Sequence, residues 1–395
     1  MFTNLRAPPI TLYIHFPWCL HKCPYCDFNS HASPSSEIPE QRYIDALIAD
    51  FDQELPQIWG RRFSAIFIGG GTPSLLSPAG LERLLSELRA RVPQLSQIEL
   101  TLEANPGSVD SARFQAFVDA GINRFSIGVQ SFNDKHLKRI ERIHDRKLAE
   151  NAINAALTSG AQSVNIDLMF GLPEQNLAEA RGDIDLALAF EPQHLSYYQL
   201  TIEANTLFHH HPPALPHDDV IAEMHDYALA QLQKHGYHHY EVSAFAKPHH
   251  QCGHNLNYWQ FGDYLGIGAG AHSKLTLPQN QTIQRSWKLK NPRDYMQHAA
   301  HKQRIGGHHT LDKNELVSEF MMNALRLHDG FASQLFMERT GLTLANIERA
   351  LEYAEAQKLI AWDHQTIRPT SLGRQYLNDL VEIFIETSSN NERSR

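Results

Sequence analysis

The sequence is poor in cysteine, with 4 in 395 residues, and three of them, Cys19, Cys23 and Cys26, fall within one short loop. A disulfide framework is therefore excluded unless that loop is broken up. Long hydrophobic runs are missing as well. No segment approaches the roughly 18 uninterrupted apolar residues needed to span a bilayer, and Met1, Phe2, Thr3 and Asn4 lead into nothing of secretory length. Both absences point to the reducing cytoplasm. The chain also lacks Lys/Arg runs and carries a formal net charge of −9, so no nucleic acid is expected as a partner.

At 42% hydrophobic composition the chain can bury a full core, with room for one large and one small domain. Histidine is abundant at 24 residues and concentrates between His209 and His272. Most of these suit a polar surface, where histidine is tolerated and only occasionally a ligand.

Short apolar runs at 12–16, 65–68, 98–102, 124–129, 164–169 and 195–201 read as strands. Helix-period segments at 40–55, 78–91, 110–120, 147–159 and 177–190 lie between them. Six βα steps imply a parallel sheet with right-handed crossovers, curved into an incomplete barrel. In such sheets chemistry gathers beyond the carboxyl ends of the strands. The residues there are Gly69 to Pro73, Glu103 to Pro106, Gln130-Ser131, Phe170 to Pro173 and Thr201 to Glu203.

A helix at 218–235 and a strand at 237–243 follow. Gly266 to Ala271 matches the dinucleotide fingerprint G-x-G-x-x-A on paper, but that fingerprint must open a helix. Here it runs into Ser273 to Pro278, so it is rejected. From residue 311 the order helix (315–327), helix (344–359), hairpin (362–368), helix (372–384) suggests a small winged-helix-like α+β domain. Its 13 Asp/Glu against 9 Lys/Arg are the wrong balance for DNA. The expected division is 1–245 for the partial barrel, 246–310 as a connecting region, 311–385 for the C-terminal domain and 386–395 as a disordered tail.

Cys19, Cys23 and Cys26 stand at C-x3-C-x2-C spacing directly after the first strand. Soft thiolates suit zinc or iron–sulfur sites. A structural zinc needs four closed ligands, and His15, His21 or His31 could supply the fourth. A cubane held by three cysteines instead leaves one iron without a protein ligand. A helical face is excluded by Pro17 and Pro24.

This loop, with Tyr25 just before the last cysteine, resembles that of the radical S-adenosylmethionine superfamily. The surrounding motifs are similar to the branch holding oxygen-independent coproporphyrinogen III oxidase and the haem chaperones. The likeness runs from about residue 10 to 385. It implies a 4Fe-4S cluster on the three cysteines, with S-adenosylmethionine on the open iron and haem as a further ligand. For S-adenosylmethionine it implies Tyr13, Tyr25, Gly70, Gly71, Thr72, Glu103, Gln130, Arg142, Asp167, Thr201 and His272. Implied partners are haem, apo-haemoproteins including respiratory and membrane-associated ones, and a reductant protein for the cluster; a homodimer is compatible with it.

Three departures separate the chain from the oxidases of that branch. Phe28 stands where they carry a further cysteine, and only 11 residues precede the first strand. Residues 254–259 also fit the H-N-x-x-Y-W motif typical of the haem chaperones. His254 is then the candidate haem ligand, with Tyr258 and Trp259 as porphyrin-packing neighbours and Cys252 as a competing thiolate. The expected function is haem binding and transfer to apo-haemoproteins. The alternative is radical oxidative decarboxylation of coproporphyrinogen III.

Overall fold

The computed structural model describes residues 5–92, 95 and 98–393, the side chains of 386–393 excepted. All six expected strands form: β1 Ile10–Phe16, β2 Phe63–Gly70, β3 Glu99–Ala104, β4 Arg124–Gln130, β5 Ser163–Phe170 and β6 His194–Gln199. They pair in sequence order, each parallel to the next. Between them lie α1 Glu40–Glu54, α2 Pro78–Arg91, α3 Ser111–Ala120, α4 Arg146–Thr158 and α5 Leu177–Ala189. Side-chain oxygens start four of these helices locally. Ser77, Asp110, Asp145 and Asn176 each accept a backbone N–H of the first turn, and Glu179 completes a capping box with Asn176.

Strand alternation divides the two faces of the sheet. In β1, Ile10, Leu12, Ile14 and Phe16 join the large apolar core under the helices, while Thr11, Tyr13 and His15 face the other way. The core continues through Ile66 and Ile68, Leu100 and Leu102, Phe125, Ile127 and Val129, then Val164, Ile166 and Leu168.

After α6 Asp218–Lys234 the chain forms a hairpin of β7 His238–Glu241 and β8 Ala244–Ala246, which pairs antiparallel to β6. The 246–310 region does more than connect. It forms α7 Gly253–Trp259, and then β9 Asp263–Ile267, which adds a seventh parallel strand beside β1. The antiparallel strands β10 His272–Leu277, β11 Thr282–Lys288 and β12 Ile305–Thr310 extend that edge. The result is one twelve-stranded sheet in the order β12-β11-β10-β9-β1-β2-β3-β4-β5-β6-β8-β7, curved but not closed. The glycine-rich stretch is the turn between β9 and β10 and opens no helix.

A buried ionic cage ties this extension to the first helix. Asp50 and Glu54 of α1 meet Lys288 and Arg304, with Lys288 to Asp50 at 2.8 Å and Arg304 to Asp50 at 2.7 Å. Such groups are tolerated inside only when each charge is matched.

The C-terminal domain holds α8 Lys313–Ala324, β13 Phe331–Ala332, α9 Ser333–Thr340, α10 Glu348–Ala356, β14 Ile360–Trp362, β15 Thr366–Pro369 and α11 Leu377–Arg393. Helix α9 and strand β13 are additions to the sequence reading. The hairpin is β14 with β15, and β13 pairs with β15 to complete a winged-helix-like sheet. Helix α11 reaches into the segment expected to be a disordered tail; 394 and 395 lie outside the described residues. A separate apolar core around Phe320, Phe336, Leu351 and Phe384 also takes in Phe261 and Ile283, which seats the domain on the sheet extension. Among the described residues, no helix is long and apolar enough to cross a membrane.

Candidate functional site

The three cysteines lie in a loop held from both sides. Trp18 and Cys19 pair with His31 and Ala32, and Cys26 N–H closes a turn on Cys23 carbonyl at 3.1 Å. Asn29 fastens the far end, its amide donating to the Ala269 and Lys290 carbonyls at 2.9 Å each. A Cβ on Gly270 would run into the Asn29 side chain, and one on Gly268 would crowd His15. The glycine-rich turn therefore packs against the cysteine loop, which explains its composition without any nucleotide.

Gly70, Gly71 and Thr72 run beside the entry to the same loop. Gly71 N–H donates to Phe16 carbonyl and Thr72 N–H to Trp18 carbonyl, both at 2.7 Å. Gly70 sits at φ +119°, and a Cβ there would come 2.6 Å from the His15 ring; a Cβ on Gly71 would overlap the Trp18 carbonyl. The glycines are required first by the loop they support.

Cys19, Cys23, Tyr25, Cys26, Gly70, Gly71, Thr72, Glu103, Gln130, Arg142 and Asp167 all line one cavity of about 400 Å³ that opens at the cysteine loop and descends into the curved sheet. Phe28, 60% exposed, lies at its mouth. Three expected residues are not part of that lining. Tyr13 faces inward, with its hydroxyl 3.0 Å from His15 Nδ1 and its ring stacked on Phe67 and His254. Thr201 is exposed and donates to Glu203, and His272 stacks on Trp287 at the start of β10.

The cavity walls mix charges. Glu103 accepts the Gly70 N–H at 3.0 Å, and burial, with Asp167 nearby, pushes its carboxyl up to about 8. Asp167, also raised by burial, is held by Ser126 at 2.8 Å and Asn165 at 2.7 Å. Arg142 reaches Cys23 Sγ at 3.8 Å and Gly128 carbonyl at 2.6 Å. Burial works against its charge, but Tyr25 and Cys23 hold its pKa above the usual value. It is the cation best placed for a carboxylate. Ser126, Asn165, His194, Ser196 and Tyr198 also line the cavity and were missed in the sequence. Their signal is the alternation of polar residues along β4, β5 and β6, which puts one polar stripe on the inner face.

Do these residues fit a cluster? All four cysteines are free, and burial pushes the Cys19 thiol up to about 11 and raises Cys26 as well. A loaded metal takes those protons off. Among the described residues no three His, Cys, Asp or Glu converge as ligands of a single ion. The thiols are spaced around the cavity mouth, which fits a group with several irons better than one tetrahedral zinc.

Helix α7 closes the opposite end of the barrel, its start fixed by Gly253 N–H on Glu99 at 2.9 Å. His254 points inward and stacks on Phe67 at 5.0 Å between ring centroids. Burial lowers it to about 4, and its Nδ1 is buried without a partner. The structure does not set Tyr258 and Trp259 against that ring. Tyr258 stacks on Tyr264 at 4.8 Å, and Trp259 lies under Arg326 at 4.3 Å.

Comparison with known proteins agrees with this architecture. Residues 13–187 match the Radical SAM superfamily and residues 311–376 the HemN C-terminal domain. The protein named heme chaperone HemW in Haemophilus influenzae is 45% identical over 384 residues, covering 96% of this chain and 99% of that one. The Escherichia coli protein of the same name is 45% identical over 96% of this chain and 99% of its own length. That of Bacillus subtilis is 32% identical over 94% and 98%. The solved structure of coproporphyrinogen III oxidase HemN from Escherichia coli superposes with a TM-score of 0.79 at 22% identity, covering 96% of this chain and 90% of that one, which is a likeness of fold. Membership of the superfamily implies a 4Fe-4S cluster and S-adenosylmethionine. With its full-length match, its three-cysteine loop and its C-terminal domain, the chain belongs to the HemW family of heme chaperones within the radical SAM superfamily.

Proposed function

We propose that the protein binds haem and passes it to apo-haemoproteins in the cytoplasm, with Cys19, Cys23 and Cys26 holding a 4Fe-4S cluster and the cavity beneath them holding S-adenosylmethionine. The observation that carries the reading is helix α7, in which the H-N-x-x-Y-W motif sets a neutral imidazole, its Nδ1 without a hydrogen-bond partner, against Phe67 inside the barrel. A neutral imidazole is a common axial ligand of haem iron. The burial of His254 means that α7 must shift for a porphyrin to reach it.

In this proposal Arg142 takes the methionine carboxylate, and Glu103 and Asp167 accept from the ammonium and ribose groups. Gly70, Gly71 and Thr72, whose N–H groups are already paired with Glu103, Phe16 and Trp18, offer only their carbonyl groups at the rim. Bound together, the cluster and S-adenosylmethionine supply one-electron chemistry at the cavity mouth. The chain's own part is to hold both ligands in a cavity whose inner end is Cys252 and Asn255, with His254 behind Phe67 of its wall.

A second reading, decarboxylation of coproporphyrinogen III, draws on the depth of the cavity, which runs from the cysteine loop down to Cys252 and Asn255. Anaerobic incubation of the reconstituted, reduced protein with coproporphyrinogen III separates the two. No protoporphyrinogen is expected; its formation makes the protein an oxidase. In a haem titration His254→Ala is expected to weaken binding at least tenfold with cluster iron unchanged, and unaltered affinity removes the ligand assignment.

A further inference from the structure

Asp167 stands at the end of a hydrogen-bonded chain that crosses the inner wall of the barrel. Strand register sets it up: Asn165 of β5 lies between Ser126 of β4 and His194 of β6, and Asp167 lies beside Ser196. Alternation turns these side chains to the inner face, where they line the main cavity. The Asn165 amide nitrogen is 2.7 Å from Asp167 Oδ1 and 2.7 Å from Ser126 Oγ. Its Oδ1 is 2.6 Å from His194 Nδ1 and 3.2 Å from Ser196 Oγ. On the far side His194 Nε2 meets the Tyr240 hydroxyl of β7 at 2.8 Å, and that oxygen lies 3.3 Å from the Cys252 nitrogen. Cys252 is the residue from which helix α7 starts.

An ionised carboxylate only accepts, so Asp167 fixes the direction of every bond in the chain. Asn165 turns its NH2 to Asp167 and its carbonyl to His194, which makes His194 Nδ1 a donor and Nε2 an acceptor. Tyr240 then donates its hydroxyl proton to Nε2 and accepts the Cys252 N–H. Burial, with Arg124 and His250 nearby, pushes His194 well below the usual imidazole range, so the ring is neutral and carries one N–H. The donors all point toward one carboxylate, and bonds aligned in this way strengthen one another. Burial raises the Asp167 carboxyl, and the bonds from Ser126, Ser196 and Asn165 oppose that rise. Asn165, His194 and Tyr240 are buried, so water does not replace a lost partner. Without the Tyr240 proton His194 is free to take its other tautomer, whose bare Nδ1 repels Asn165 Oδ1. The amide then turns over and sets its carbonyl against Asp167.

We propose that His194 and Tyr240 are positioning residues for S-adenosylmethionine: acting through Asn165, they hold Asp167 as an oriented acceptor for a hydroxyl or ammonium group of that ligand. The proposal rests on the placement of S-adenosylmethionine in this cavity and deepens it. One anaerobic calorimetric series, titrating the full cluster-reconstituted chain with S-adenosylmethionine, tests the two separately. Asp167→Asn is expected to weaken binding at least tenfold and Tyr240→Phe at least threefold, with iron content unchanged in each. The double variant is expected to bind no more weakly than Asp167→Asn alone, because the chain acts only through that carboxylate. Full affinity in Asp167→Asn removes the placement of the ligand, and the positioning role with it. Full affinity in Tyr240→Phe beside a weakened Asp167→Asn overturns the positioning role alone. Losses that multiply in the double variant also overturn it, since a general packing fault acts independently of Asp167. Nitrogen NMR of the histidine-labelled, cluster-free full chain reads the same bonds without the ligand. The His194 signal, assigned by its loss in His194→Gln, is expected to show the neutral Nδ1–H form in the wild type and to shift in Tyr240→Phe; the Nε2–H form in the wild type, or no shift in the variant, overturns the chain.

Discussion

Gly71→Ala is the sharpest test of how the cysteine loop is held. The added methyl would overlap the Trp18 carbonyl oxygen, with the carbonyl carbon at 2.7 Å and the Trp18 nitrogen at 3.0 Å. All three atoms are backbone, so no side-chain rotation relieves the contact. The strands on either side are fixed by the hydrogen bonds from Gly71 to Phe16 and from Thr72 to Trp18. Overpacking of this kind costs about 1–3 kcal/mol, and losing one of those hydrogen bonds adds about 1 kcal/mol. The strain falls one residue from Cys19. The expected result is a lower urea midpoint together with reduced iron and acid-labile sulfide after anaerobic reconstitution. Gly182→Ala is the control: it lies on α5 with nothing within 4 Å of the new methyl. There alanine is expected to stabilise by about 0.5–1 kcal/mol, with cluster content unchanged. Full iron content and an unshifted midpoint in Gly71→Ala would refute the reasoning.

Other perturbations probe the cage and the cavity. Asp50→Ala leaves Lys288 and Arg304 short of a buried counter-charge, and removal of one partner from such a set costs about 3–5 kcal/mol; a urea midpoint within error of wild type would contradict the cage's role. Glu103 has its carboxyl raised to about 8, so the stability it contributes when neutral is complete below about pH 4.5 and is lost as pH rises through about 8. Glu103→Gln is neutral throughout. In cluster-free protein its stability relative to wild type is expected to rise from pH 5 to pH 8, and a constant difference would exclude the shift.

The parallel core was legible because its strands are apolar runs separated by helices with strong caps, and each expected strand and helix of 12–201 appears in the structure. The cavity was only half legible. Residues after the strands were found, because attention to carboxyl ends picks out Gly70 and Glu103. The inward stripe of Ser126, Asn165, His194 and Tyr198 was not, because polar residues inside a strand look like solvent-facing positions until the sheet is known to curve around them. Thr201 and His272, taken over from the family pattern, are exposed and are not part of the cavity lining. The role of the 266–271 turn was hidden for a different reason. Its glycines answer to Asn29 and His15, more than two hundred residues earlier, and such a contact leaves no local signal. Helix α7 was read as a motif without a structure; as a short helix it turns His254 inward and Trp259 toward the C-terminal domain.

The central claim is that the chain carries haem to other proteins. The most direct measurement mixes haem-loaded, cluster-reconstituted protein anaerobically with an apo-haemoprotein and follows the Soret band of the acceptor. The account predicts that the acceptor's haem spectrum appears at the expense of the donor's, faster with S-adenosylmethionine and reductant than without. Haem retained by the donor under every condition would contradict it.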